Sequence, residues 1–188
     1  MAASDFENND APPAAARATR DRAALLSAGA VAERLEEEVN RAARHATPLS
    51  CLLVTVGNLR ELAREHGEEL SEQTLAYIGR ALAPQLRNFD RVGQPSEYEL
   101  LVMLPGADGP RGEVVARRAL GRLRTIKVEA DGERQPLEIS IGLATWRAEE
   151  SADELLERAR AASRRPNGGE PGTLSGASPP ALGRPPTA

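Results

Sequence analysis

Apolar positions in the middle of the chain follow helical spacing in some segments and strand spacing in others. Val31, Leu35 and Val39 recur every four residues, which predicts an amphipathic helix over 28–45. The run Leu49–Val56 is almost continuously apolar, which predicts a central strand buried on both faces. The other predicted elements are helices over 58–65, 71–86, 110–123 and 151–164, a short strand near Val92, a strand over 99–104, and two strands within 127–145 joined by a turn at Asp131-Gly132. This order predicts one α/β domain.

Both ends of the chain lack this periodicity. Residues 1–17 are rich in Ala, Pro, Asn and Asp, and residues 166–188 hold much of the remaining Pro and Gly. Neither segment can bury enough apolar surface to offset the entropy of ordering it, so both are predicted to be disordered tails. A role as tethers stays open. The predicted domain therefore spans 18–165.

Composition and charge bear on whether the chain binds nucleic acid or a membrane. The net charge is −4, with 24 basic and 28 acidic residues, so nothing marks the chain as a nucleic-acid binder. The N-terminus lacks the basic-then-apolar pattern of a secretion signal, and no apolar run approaches the roughly 18 residues that span a membrane. We expect a soluble cytoplasmic protein with no membrane partner. The single cysteine, Cys51, lies in an apolar run and is predicted to be a buried hydrophobe.

Several segments, in order and at matching spacings, carry a resemblance to a known family. They read AALLSAGAV, EEVNRAARHATPLSCLL, DRVGQPSEYELLVMLP, LLVMLPGAD, ISIGLAT and ADELLERARAA. Together they resemble the GGDEF (diguanylate cyclase) domain from about Asp21 to Arg165. The resemblance implies the palm-like central mixed sheet, flanked by helices, that this family shares with nucleotide cyclases.

The family's catalytic signature is largely missing. Its five positions read Ser96-Glu97-Tyr98-Glu99-Leu100, and Glu99 alone matches the family. Family members join two GTP molecules with the help of metal ions held by carboxylates. The resemblance places neutral Thr55 at the first-strand metal aspartate, and one carboxylate is a poor site for two metals. For Glu99 itself, a surface strand residue and a residual metal ligand stay open.

Base and phosphate contacts are also altered. The resemblance places Ala63 at the family's base-reading asparagine, and Glu97 would set a negative charge beside a triphosphate. Glu72 falls where a second guanine-reading aspartate belongs, so one acidic contact is retained. The phosphate-contacting lysine of the last helix has no equivalent near Asn167. We therefore expect no cyclase activity, no resident metal and no cofactor.

A second motif matches the family. Arg87 and Asp90 form an R-x-x-D tetrad at the family's offset from the signature, and Arg118 takes the place of a further arginine on the next helix. In the family such a site binds cyclic di-GMP, because guanidinium groups match phosphate geometry and the aspartate accepts from the guanine edge. The structural alternative is a helix C-terminal arginine, a turn-capping aspartate and a solvated helix arginine.

Three functions follow as hypotheses. The first is a catalytically inactive GGDEF-like domain that binds cyclic di-GMP and signals to an unknown effector protein. The alternative is a nucleotide-independent pseudoenzyme that serves as a protein-interaction or dimerisation module. The third is a residual cyclase or GTP binder. The sequence names no partner, and it leaves the oligomeric state open, with a homodimer among the arrangements.

Overall fold

The computed structural model describes residues 25–130, residues 132–164 and the backbone of residues 174–176. The elements, in chain order, are α1 (Ala28–His45), β1 (Leu49–Val56), α2 (Leu59–His66), α3 (Glu68–Leu82), a 3-10 turn (Ala83–Gln85), β2 (Arg91–Ser96), β3 (Glu99–Pro105), α4 (Gly109–Leu123), β4 (Lys127–Ala130), β5 (Glu133–Pro136), β6 (Ile139–Thr145), α5 (Ala152–Ser163) and β7 (Leu174–Gly176). The predicted α/β class is confirmed.

Five strands form the central sheet in the order β2-β3-β1-β6-β7. β1 lies antiparallel to both of its neighbours, with Cys51 opposite Met103 on β3 and Ala144 on β6. β7 pairs parallel with β6, so the sheet is mixed. β1 has a strand on each edge and helices on both faces, which explains why its residues are almost all apolar.

Alternate side chains of the strands point to opposite faces of the sheet and pack into two separate hydrophobic cores. The first core lies between the sheet and α2, α3 and α4, and the second lies between the sheet and α1 and α5. Val31, Leu35 and Val39 are buried in the second core, as their spacing predicted, and Cys51 is fully buried beside them. The helices on both faces fix the strand ends on which the candidate sites are built.

Helix α5 packs very closely on the sheet. A Cβ at Gly142 of β6 would lie 2.1 Å from the carbonyl oxygen of Ala159 and 2.3 Å from the amide nitrogen of Ser163. Only glycine permits this approach. The start of α5 is the predicted capping box, in which Ser151 N–H donates to Glu154 Oε2 at 2.8 Å and Glu154 N–H donates to Ser151 Oγ at 3.2 Å.

The segment 127–145 differs from the predicted pair of strands. The segment holds three strands. β4 and β5, which precede and follow Gly132, pair with each other in a separate two-stranded sheet, and β6 joins the central sheet. β5 reads ERQP and is mostly exposed, so it carries no apolar alternation that could separate it from β6. The prediction of a strand on each side of the turn is correct only for β4 and β5.

Other boundaries shift by a few residues. α3 begins at Glu68 rather than Ser71, directly after the predicted break at Gly67, whose φ is 96°. Residues 83–85, predicted as its last turn, form a 3-10 turn that contains a proline. Within the segment predicted as a C-terminal tail, residues 174–176 form a strand. The predicted N-terminal tail, residues 1–17, lies outside the described residues.

Candidate functional site

The retained signature position lies in a cleft of about 540 Å³ at one end of the sheet. Thr55 on β1 and Glu99 on β3 are opposite each other in the antiparallel ladder, so their side chains share a face. The β2–β3 hairpin contributes Ser96 and Tyr98 to the same cleft. Helix α5 closes the remaining side, which brings Arg160 over the strand ends.

Arg160 forms an ion pair with the carboxylate of Glu99. Arg160 Nε lies 3.0 Å from Glu99 Oε1, Arg160 Nη2 lies 2.7 Å from Glu99 Oε2, and Ser96 Oγ donates to the same Oε2 at 2.8 Å. Burial raises the pKa of Glu99, but the hydrogen bonds from Arg160 and Ser96 and the charge of Arg160 outweigh it, so the pKa of this carboxyl is lowered from 4.5. Glu99 is only 8% exposed, so the interpretation as a surface strand residue is wrong.

The cleft residues do not fit the metal ions that the resemblance to diguanylate cyclases would imply. A hard divalent cation needs several oxygen ligands, above all carboxylates. The cleft holds two carboxylates, Glu99 and Glu157, and both are ion-paired with Arg160. Thr55 is neutral, and its hydroxyl donates to Ser163 Oγ at 3.1 Å. Among the described residues, no three or more Asp, Glu, His or Cys side chains come together as a ligand set.

The other positions of the altered catalytic centre are scattered. Ala63 on α2 and Leu100 on β3 are both buried, and neither lines the cleft. Glu97 is exposed in the turn of the hairpin, and Glu72 is exposed on α3, outside the cleft lining. The guanidinium of Arg60 lies 5.2 Å from the centre of the Tyr98 ring.

A second cavity, of about 270 Å³, brings together Arg87, Asp90 and Arg118. Leu104 at the end of β3 and the first half of α4 supply its apolar walls. Arg87 and Arg118 are exposed, and Asp90 is 7% exposed. Two residues of the loop before β2 and one residue of α4 thus face one space, which we call the RxxD pocket.

Asp90 also has a local structural role. Its Oδ2 accepts a hydrogen bond of 2.7 Å from the backbone N–H of Arg87, so it caps the turn between the two residues. Burial raises the pKa of Asp90, and the hydrogen bond from the Arg87 backbone and the charges of Arg87 and Arg91 oppose this rise only in part. Arg87 is not a helix C-terminal residue, because it follows the 3-10 turn, and its guanidinium lies 5.9 Å from the ring of Phe89.

Two residues of these sites were missed in the sequence. Arg111, in the first turn of α4, lines the RxxD pocket beside Arg118, seven residues further along the helix. That spacing of two helical turns was visible in the sequence. Arg160 was missed because nothing in the sequence links it to Glu99, which lies 61 positions earlier.

The fold and both sites can be compared with known proteins. The sequence model of the family described as "Diguanylate cyclase, GGDEF domain" matches residues 23–166. The chain belongs to the GGDEF family. It is 24% identical to the diguanylate cyclase DgcP of Pseudomonas aeruginosa over 135 residues, which are 72% of this chain and 20% of DgcP. The chain thus spans about a fifth of the length of that curated relative.

Solved structures of GGDEF domains have the same fold. The GGDEF domain of DgcB from Caulobacter crescentus, in complex with c-di-GMP, matches with a TM-score of 0.72 and 14% identity, over 81% of this chain and 91% of that one. The diguanylate cyclase SiaD of Pseudomonas aeruginosa, in complex with its activator SiaC, matches with a TM-score of 0.67 and 24% identity, over 78% of this chain and 59% of that one. No helix of the described residues is long and apolar enough to cross a membrane.

Proposed function

We propose that this GGDEF domain lacks cyclase activity and binds cyclic di-GMP through Arg87, Asp90 and Arg118. The observation that carries the proposal is the RxxD pocket, because Arg87 and Asp90 of the loop before β2 face one cavity with Arg118 of α4. Arg111, which also pairs with Asp108 at 3.8 Å, lines the same cavity, so three guanidinium groups and one carboxylate line it. This excess of positive charge suits a ligand with two phosphodiester groups.

The size of the RxxD pocket favours partial enclosure of the ligand. Its volume of about 270 Å³ lies below the roughly 300–1,000 Å³ of sites that enclose drug-sized molecules. A guanine ring against the apolar walls, with the phosphates outside near the arginines, fits such a space. Only one oxygen of Asp90 is bonded by the turn, so the other is available to a guanine edge.

The proposed loss of catalysis rests on the cleft. The carboxylates that would bind metal are paired with Arg160, and the position opposite Glu99 is a threonine. Without a cation to neutralise the phosphates and activate the attacking hydroxyl, the reaction of two GTP molecules has no support from these residues. GTP incubated with Mg²⁺ or Mn²⁺ should yield no cyclic di-GMP by chromatography. Product formation that Glu99→Gln abolishes would contradict this part.

Isothermal titration calorimetry with cyclic di-GMP tests the binding. We expect saturable binding, weakened roughly 10- to 100-fold by Arg87→Ala, since a charge-assisted hydrogen bond contributes about 1.5–3 kcal/mol. Arg117→Ala is the matched control, because Arg117 adjoins Arg118 on α4 but pairs with Glu113 instead. Absence of heat at tens of micromolar ligand, or equal binding by both variants, would refute the proposal.

The turn cap of Asp90 favours the alternative function. If Arg87 and Asp90 are retained for the turn alone, the domain is a nucleotide-independent interaction or dimerisation module. Then Asp90→Ala lowers the free energy of unfolding, and titrations with cyclic di-GMP and GTP are both flat. Mass measurement across a range of protein concentrations would show whether the module pairs with itself or needs an effector protein.

A further inference from the structure

One face of α4 runs past two cavities. Arg111, Val114, Arg118 and Arg122 lie at intervals of three, four and four residues, so they form a single stripe along the helix. The first three line the RxxD pocket, and Arg122 lines a separate groove of about 640 Å³ at the end of α4. We call this second space the basic groove, and its lining is Tyr77, Ala81, Arg122, Thr125, Ile126, Lys127, Glu129 and Arg134.

Three cations of the basic groove make no ion pair with a carboxylate of the described residues, although Glu129 lies opposite Arg134 in the β4–β5 ladder. Arg122, Lys127 and Arg134 come from α4, β4 and β5, and none of them forms an ion pair with another described residue. By contrast, Arg117, which lies beside this stripe on α4, pairs with Glu113. Glu129 is the one acidic residue of the groove lining, so the groove is positive although the whole chain carries a net charge of −4.

The same side of the molecule exposes apolar surface. Among the described residues, the large exposed hydrophobic side chains are Tyr77, Phe89 and Val114, at 52%, 47% and 51% exposure. Tyr77 lines the basic groove, Val114 lines the RxxD pocket, and Phe89 lies beneath Arg87 of that pocket. Aromatic side chains together with arginines are the residues enriched where proteins bind one another.

The groove suits a polypeptide better than a small ligand. Small-ligand sites are mainly apolar and fix their ligand with a few well-placed polar groups. Here every polar residue of the lining is exposed, and the cations are carried on long flexible side chains. Such cations attract and orient an acidic surface without enclosing it.

We propose that the basic groove is the docking surface for an acidic segment of a partner protein. Carboxylates of the partner face Arg122, Lys127 and Arg134, and an apolar side chain packs on the exposed ring of Tyr77. The cation over that ring, Arg80 at 5.9 Å from its centre, adds to the positive potential. This proposal does not depend on cyclic di-GMP binding, since neither Tyr77 nor Lys127 lines the RxxD pocket.

Fluorescence anisotropy with a labelled glutamate-rich peptide of roughly ten residues tests the proposal at low and at physiological ionic strength. The test variant is the triple charge reversal Arg122→Glu, Lys127→Glu and Arg134→Glu. The control is a triple reversal of exposed arginines elsewhere, Arg44→Glu, Arg64→Glu and Arg117→Glu, which changes the net charge equally. Circular dichroism confirms that both variants fold.

We expect the groove variant to weaken peptide binding at least roughly tenfold and the control to weaken it less than about threefold. Tyr77→Ala should weaken it about threefold as well. Equal weakening by the two triple variants, or no saturable binding, would overturn the proposal. So would tripolyphosphate binding in the groove without peptide binding, which indicates a small phosphate ligand. Self-association that only the groove variant abolishes would replace the partner by a second copy of the chain.

Discussion

The pair between Glu99 and Arg160 makes a quantitative prediction for Arg160→Ala. The side chains are 10% and 17% exposed, so removing the guanidinium leaves a largely buried carboxylate with Ser96 as its remaining hydrogen-bond donor among the described residues. Truncating one partner of a fully buried pair costs about 3–5 kcal/mol, and an exposed pair contributes about 0–1 kcal/mol. For this partly accessible pair we expect a loss of about 2–3 kcal/mol.

Thermal unfolding followed by circular dichroism measures this loss. At roughly 2–4 °C per kcal/mol for a domain of this size, the midpoint should fall by about 4–12 °C. Arg164→Ala is the matched control, because exposed Arg164 lines the same cleft and acts on Glu99 through its charge alone, the smallest of the influences on that pKa. Its effect should stay within about 0.5 kcal/mol. Equal midpoints for the two variants would refute the assigned role of Arg160.

The loss of stability caused by Arg160→Ala should depend on pH, which gives a second check. The pKa of Glu99 is lowered from 4.5 in the folded protein, so the contribution of the pair is complete above that value and is lost as the pH falls through the folded pKa. The deficit of Arg160→Ala should therefore be largest near neutral pH and should shrink as the pH falls below 4.5. A deficit that is constant across this range would show that the loss is one of packing and not of charge.

Three further outcomes are expected. Gly142→Ala should destabilise the protein by more than about 3 kcal/mol in urea unfolding, since its Cβ would lie 2.1 Å from the Ala159 carbonyl oxygen. Gly121→Ala, in the last turn of α4 with open space around the added Cβ, should stabilise the protein by up to about 1 kcal/mol, and similar effects of the two substitutions would contradict the close packing at Gly142. Burial raises the pKa of Cys51 to about 12, so thiol reagents at pH 8–9 should label it only after unfolding, and rapid labelling of the native protein would show access. Mg²⁺ or EDTA should move the unfolding midpoint by less than about 1 °C, and a rise that grows with Mg²⁺ concentration would reveal a metal site.

Local patterns were sufficient for much of the fold. The spacing of Val31, Leu35 and Val39 gave the buried face of α1, and Ser151 with Glu154 gave the start of α5, because both signals lie within a few residues of the element they define. β5 could not be separated from β6, because its three polar residues and its proline pair only with β4 and are mostly exposed. The parallel pairing of β7 could not be read from a Pro/Gly-rich segment either.

The sites were predictable where the family resemblance supplied the positions. Arg87, Asp90 and Arg118 were selected in this way, and the structure brings them to one cavity, while their binding of cyclic di-GMP stays a prediction. Burial of Glu99 was not predictable, because it results from a partner on α5 that only the close contact at Gly142 brings within reach. Contacts between distant segments carry no sequence periodicity, so neither pattern nor composition could reveal them.

Because Arg118 lines the RxxD pocket and Arg122 lines the basic groove, a charge bound in one cavity acts on the other. Arg118 and Arg122 are one helical turn apart, about 6 Å along the axis, which is less than the screening length of roughly 8 Å in physiological salt. Two phosphates held at Arg118 would therefore lower the electrostatic potential at Arg122 without any movement of the backbone. Binding of cyclic di-GMP in the RxxD pocket would in this way weaken the attraction of the basic groove for an acidic partner. This effect would decrease as the ionic strength rises.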